Sequence, residues 1–262
     1  MFMRIVQMEV DPEKIPAFVQ TYERSIIPEL QKTRGCIYAG LVQSLEDHSK
    51  GMSLTLWETQ EDAAAYEQSG KYEKLMHVAR PYFSDASAWK VQLSEDLRLE
   101  YAPVAPEPEV KSYVAEPLQG GRSDFNGVRA ESGYLRIVFM RIHPGRIRDF
   151  IRIYEQEIIP SLRLVQGCRQ ACLVKGTQES NELLSVTIWD SLKHAQAYEA
   201  TGQFERLTEK VRSTFSDLAR WTMAPDEQPG AGPEPSPRKV ATSDDIAVRN
   251  YSIVMGRAFQ GV

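Results

Sequence analysis

The chain has 262 residues, 42% of them hydrophobic and 26% charged, and a formal net charge of −5 at pH 7. This balance describes a globular protein and gives no reason to expect nucleic acid or an anionic membrane surface as a partner. The early residues lack the apolar run of a signal peptide. No stretch reaches the ~20 apolar residues that span a bilayer, so a cytoplasmic protein is expected.

A short strand pattern opens the chain over Met3–Val10. Asp11-Pro12 follows as a helix cap with proline in the first turn. The helix carries Ile15, Phe18, Val19, Tyr22, Ile26 and Leu30 at three- and four-residue spacing, with Pro28 disturbing its last turn and Gly35 ending it. Two strands follow, Cys36 to Ser44 and Met52 to Glu58, joined by a polar turn around residues 46–51. Thr59 caps a second helix that runs from about Gln60 to Tyr82, with a dip at Gly70. A last strand is expected over Ser87–Leu93. The order β-α-β-β-α-β is the ferredoxin-like split βαβ unit.

The chain then repeats itself. A shift of 132 positions lays Arg4-Ile5-Val6 on Arg136-Ile137-Val138 and Gly35-Cys36 on Gly167-Cys168. The same shift lays Trp57 on Trp189, Tyr66 on Tyr198 and Trp89 on Trp221. Between residues 4 and 89 the copies agree at 33 of 86 positions without a gap, which marks a duplicated domain rather than a solenoid period. The expected division is 1–95 for the first domain and 96–132 for a Pro-rich linker. Residues 133–226 form the second domain, and 227–262 a Pro/Gly-rich linker with a strand-like tail. The segments Val110–Tyr113 and Val248–Met255 read as strands that dock on an exposed sheet edge. The three cysteines are too few and too odd a number for a disulfide framework and read as buried thiols, with no ligand set to make Cys168 and Cys172 a zinc site.

The sequence resembles the antibiotic biosynthesis monooxygenase family. The resemblance is carried by Trp57 followed by residues 58–63, then Tyr66, Tyr72 and Leu75, and in the second copy by Trp189, Ala195, Tyr198, Phe204 and Leu207. It implies an α+β fold of two tandem ferredoxin-like domains that close on each other as an intramolecular pseudo-dimeric barrel. It further implies a cofactor-independent monooxygenase, with molecular oxygen as co-substrate, acting on a small aromatic or quinol in an apolar pocket between helices and sheet.

Trp57, Tyr66, Tyr72, Phe83 and Trp89 are the candidate substrate-binding residues of the first copy. Trp189, Tyr198, Phe204, Phe215 and Trp221 are those of the second. Aromatics at these spacings also serve as plain core. His77, Arg80 and Arg212 are the catalytic candidates: a histidine for proton transfer and two equivalent arginines for an oxyanion. Each could equally be a solvated helix-end residue. His48, His143 and His194 read as exposed, and no metal site is expected.

Two alternatives stay open. One is a non-catalytic ligand-binding or assembly module of the same fold. The other is a haem-binding, haem-degrading enzyme, whose family pattern this chain misses by one place, with Met76 standing where the histidine ligand is expected. Further association of the built-in pair into oligomers is left open, as are the substrate and whether one, both or neither pocket works.

Overall fold

A computed structural model describes residues 1–84, 88–93, 99–104, 109–115, 132–177, 180–216 and 246–259. The first copy runs β1 (Phe2–Glu9), α1 (Ile15–Thr21), α2 (Ile27–Gln31), β2 (Cys36–Ser44), β3 (Lys50–Trp57), α3 (Gln60–Gln68) and α4 (Lys71–Ala79). Then come β4 (Ala88–Leu93), β5 (Leu99–Val104) and β6 (Glu109–Ala115). The second copy repeats the pattern as β7 (Gly133–Arg141), α5 (Ile147–Ile153), α6 (Ile159–Arg163), β8 (Cys168–Gly176), β9 (Glu182–Trp189), α7 (Leu192–Ala200) and α8 (Gln203–Val211). The strand β10 (Ile246–Ala258) follows it.

Eight strands close into one antiparallel barrel in the order β1-β3-β2-β10-β7-β9-β8-β6. None of β1–β3 pairs with any of β7–β9. β10 lies between β2 and β7, pairing Ile246–Ile253 with β7 and Tyr251–Ala258 with β2. β6 lies between β1 and β8, in register with β1 from Phe2↔Val114 to Gln7↔Glu109 and with β8 over Tyr113–Ala115. Closure gives each of these strands a neighbour on both sides. At the β6 seam Tyr113 donates a 2.7 Å hydrogen bond to the Glu182 carboxylate at the start of β9.

The strand expected at the end of the first unit does form, but it has a different partner. β4 pairs with β5 as a separate two-stranded sheet, and β6 takes the place beside β1. Period-two patterning marks a segment as a strand and says nothing about which edge it will reach. The corresponding segment around Trp221 lies outside the described residues; beside β7 stands β10.

Local chemistry explains the helices. The Asp11 carboxylate accepts from the Glu13 N–H, and the Thr59 hydroxyl accepts from the Asp62 N–H, each satisfying a donor at a helix start. Gly70 and Gly202, at φ +72° and +67°, split the expected long second helix into α3 and α4, and likewise α7 and α8. Residues Tyr22–Ile26 and Tyr154–Ile158 form π-helical turns, in which the Ile27 and Ile159 N–H groups reach back five residues to the Tyr22 and Tyr154 carbonyls. The next residues are Pro28 and Pro160, which have no N–H to give, and the widened turn takes up the missing bond.

The sheet separates three cores. Met3, Ile5, Met52, Leu54 and Leu56 point into the barrel and meet Leu135, Ile137, Leu184, Val186 and Ile188 from the other copy in one cluster. The alternate strand residues, Val6 and Met8 or Val138 and Met140, face outward under the helices and build one helix–sheet core per copy. The sites lie in these two outer layers.

Candidate functional site

An apolar cavity opens between helices and sheet in each half. Counting the open solvent at the mouth, the empty space is about 450 Å³ in the first half and about 480 Å³ in the second. The floor is the outward face of the strands, and α4 or α8 with the π-helical turn makes the wall.

Each floor carries a buried arginine. Arg4 on β1 and Arg136 on β7 are both 3% exposed, on the outward-facing alternation of their strands. The Arg4 guanidinium lies 4.1 Å from the centroid of the Tyr72 ring and 5.7 Å from that of Tyr66, and pairs with Glu67 at 2.7 Å. Arg136 repeats the arrangement with Phe204 at 4.2 Å, Tyr198 at 5.6 Å and Glu199 at 2.8 Å. The glutamates are half-exposed, so each charge is balanced from the solvent side while the inner face of the guanidinium is desolvated. Among the described residues the buried Nε–H has no hydrogen-bond partner in either half. An unmet donor of this kind destabilises the fold by about 1–3 kcal/mol.

A hydroxyl pair is the second polar feature. Tyr22, placed by the π-helical turn, meets the Ser53 hydroxyl at 2.7 Å and donates to the Gly40 carbonyl at 3.2 Å. Tyr154 does the same with Ser185 at 2.7 Å and the Cys172 carbonyl at 3.3 Å. Burial holds both phenols far above their ordinary pKa, opposed in part by the serine hydrogen bonds, so they remain neutral donors. Burial also pushes the Tyr198 phenol up to about 12, with Arg136 pulling the other way.

The aromatic candidates divide by position. Tyr66, Tyr72 and Phe83 line the first cavity, and Trp189, Tyr198, Phe204 and Phe215 the second. Trp57 is fully buried behind Tyr66, with ring centroids 4.9 Å apart, and its indole N–H donates to Thr55 at 3.0 Å. Trp89 lies on β4, whose side chains are outside the described residues, as is all of Trp221.

The cationic and histidine candidates are not brought together. His77, Arg80 and Arg212 are exposed and line neither cavity, and Arg212 pairs with Glu209 at 2.9 Å. Their helix-end positions keep them in water, whereas Arg4 and Arg136 enter the site because strand alternation turns them under the helices. The sequence carried a signal for that pair: an arginine held at the same place of an apolar strand in both copies. His48 and His143 are exposed, but His194 is half-buried beneath Gly167 and meets the Ser191 hydroxyl at 3.0 Å.

The donor set does not suit a haem iron. Met76, not His77, faces the first cavity, and no histidine is among the residues lining either one. Among the described residues no three of His, Cys, Asp and Glu gather as a metal site.

A closed barrel of two ferredoxin-like halves, each with an aromatic cavity against its outer face, is the monooxygenase-type α+β architecture. The chain belongs to the antibiotic biosynthesis monooxygenase family, whose profile matches residues 1–78 and 131–210 and so covers the duplication. The pair of halves is built within one chain. A proposed monooxygenase from Lactobacillus acidophilus NCFM shares the fold at TM-score 0.60 and 6% identity, over 100% of this chain and 97% of its own. A second, from Fusobacterium nucleatum, does so at TM-score 0.62 and 6% identity, over 100% and 95%. An anthrone oxidase-like protein matches at TM-score 0.57 and 13% identity, over 98% and 92%. No curated protein sequence matches the chain. At these identities the structural likeness is one of fold. No helix among the described residues is long and apolar enough to cross a membrane.

Proposed function

We infer that each cavity oxygenates a phenolic or quinol-type aromatic with molecular oxygen, the substrate itself supplying the electrons. One observation carries the reading. A buried guanidinium lines an apolar cavity, its Nε–H unmet among the described residues, and does so twice. A phenol lying against the aromatic wall presents its oxygen to Arg4 or Arg136. The desolvated charge there favours the phenolate, as preorganised donors favour any developing oxyanion. A phenolate is electron-rich enough to reduce oxygen, so the protein's work is to orient the ring, exclude water and handle protons. In the overall change one ring C–H becomes a carbonyl, the phenol oxygen becomes the second carbonyl of a quinone, and the other oxygen atom leaves as water. The neutral Tyr22–Ser53 and Tyr154–Ser185 pairs are the donors at hand for the reduced oxygen.

The direct test is oxygen uptake by metal-free protein on 1-naphthol, hydroquinone and anthrone. Turnover is expected on at least one of them. The double variant Arg4→Met, Arg136→Met should lose it by roughly 10²–10³-fold, the scale of losing an oxyanion donor. Methionine fills similar volume without a buried charge, so far-ultraviolet circular dichroism should be unchanged. Binding of all three compounds without oxygen uptake by the unaltered protein would move the assignment to a ligand-binding module.

A further inference from the structure

The duplication provides an internal comparison. The two cavity linings coincide at fourteen equivalent positions, and the residue is the same at all but three. The barrel interior is buried as deeply and has drifted further. There Met3, Met52, Leu54 and Leu56 have Leu135, Leu184, Val186 and Ile188 as counterparts, while Ile5 and Val42 keep theirs. Burial alone therefore does not account for the retention. The polar members make the point more sharply. A buried arginine with an unpartnered Nε–H weakens each half, and an apolar replacement in one copy would relieve that half. Both copies retain it, along with the tyrosine–serine pair.

The three exceptions share one helix stripe. They are Tyr72/Phe204, Met76/Thr208 and Ala79/Val211, at i, i+4 and i+7 of α4 and α8. Tyr72 and Phe204 cover the guanidinium. One turn along, about 5.4 Å on the helix axis, the first cavity presents the Met76 thioether and the second the Thr208 hydroxyl. Apart from the groups the halves share, the second cavity has the Thr208 hydroxyl where the first has the Met76 thioether, and the first has the Tyr72 hydroxyl beside its guanidinium where the second has the Phe204 ring.

We propose that the chain holds two working ligand sites of different selectivity. The second-half cavity takes a dihydroxylated aromatic whose far hydroxyl bonds to Thr208, and the first-half cavity takes a monohydroxylated ring whose far edge packs on Met76 and Ala79. This rests on the phenolate reading above and adds the substrate class of each site.

The experiment is anaerobic calorimetric titration of the intact chain with 1-naphthol and with 1,5-dihydroxynaphthalene, using Arg4→Met and Arg136→Met to assign each heat to its cavity. Two equivalents of 1-naphthol should bind per chain, and the diol should favour the second site. Thr208→Val, which preserves shape, should weaken the diol there about five- to tenfold, the scale of one hydrogen bond, and move 1-naphthol less than about twofold. Met76→Thr should tighten the diol at the first site by a similar factor. One equivalent per chain, a diol affinity unmoved by both variants, or no binding of either compound overturns the proposal. Because binding is read without oxygen, two-site binding with no oxygen uptake refutes the oxygenation alone. Turnover with one-site binding refutes the paired selectivity alone.

Discussion

Arg4 and Arg136 are the residues at which chemistry and stability pull apart. Each is a buried cation, held by two ring faces and one half-exposed glutamate, with one donor left unmet. An arginine retained for stability alone would have its donors satisfied. Burial governs the other titrating groups as well. It raises the thiols of Cys36 and Cys172 to about 12 and that of Cys168 to about 11, and the phenol of Tyr134 to about 12. These folded-state values lie above the ordinary ones, so in the window between them the unfolded chain binds fewer protons than the folded one. Their contribution to stability is complete below about pH 9 and falls as the pH rises toward about 12. Urea midpoints should therefore hold between pH 7 and 8.5 and drop progressively above pH 9. A midpoint that is flat to pH 11 would contradict the burial of these groups. The same thiols should resist a disulfide reagent at pH 8 until the chain is unfolded.

Among the elements, the short joints that aim side chains into the site matter more than the helices themselves. The π-helical turn that accommodates Pro28 points Tyr22 at Ser53, and its copy ahead of Pro160 points Tyr154 at Ser185. The proline was legible in the sequence as a helix disturbance; the form of the disturbance was not, because the same missing N–H can be met by a kink, a break or a wider turn. Gly35 is a second joint. It ends the first helix at φ +74°, and a Cβ placed on it would lie 2.3 Å from Asp62 Cγ, in the side chain that bonds Thr59 at the start of α3. Gly35→Ala should therefore combine left-handed strain with a clash and lower stability by about 1–3 kcal/mol. A thermal midpoint equal to that of the unaltered protein would show that the joint is looser than drawn here. At this level the predicted segments largely became elements. Two differences came from glycine and from pairing: Gly70 and Gly202 each divide a helix, and β4 goes to β5. A one-residue break and a choice of partner both leave hydrophobic periodicity intact.

At the level of the molecule, two strands from outside the repeats hold the halves together. β10 contributes thirteen residues and spans β7 and β2 in succession, while β6 meets β8 over three registered pairs. Removing residues 246–262 should expose the edges of β2 and β7 and unseal the shared barrel core. The expected result is loss of a single cooperative unfolding transition and concentration-dependent association in sedimentation. A truncated chain that stays monomeric and melts as sharply would mean that the halves seal themselves.

The amino-acid sequence by itself determined that there are two copies, that each has the ferredoxin-like order of elements, and that aromatics line one layer of each. These are properties of local periodicity and of identity at a fixed offset, and both can be read along a line. Tertiary structure alone decided which edges the docking strands β6 and β10 join to close the barrel, and that His77, Arg80 and Arg212 stay in water while Arg4 and Arg136 do not. Alternation places every second side chain of a strand on the same face. Which face is roofed by a helix, and so deprived of water, depends on packing between segments distant in the chain.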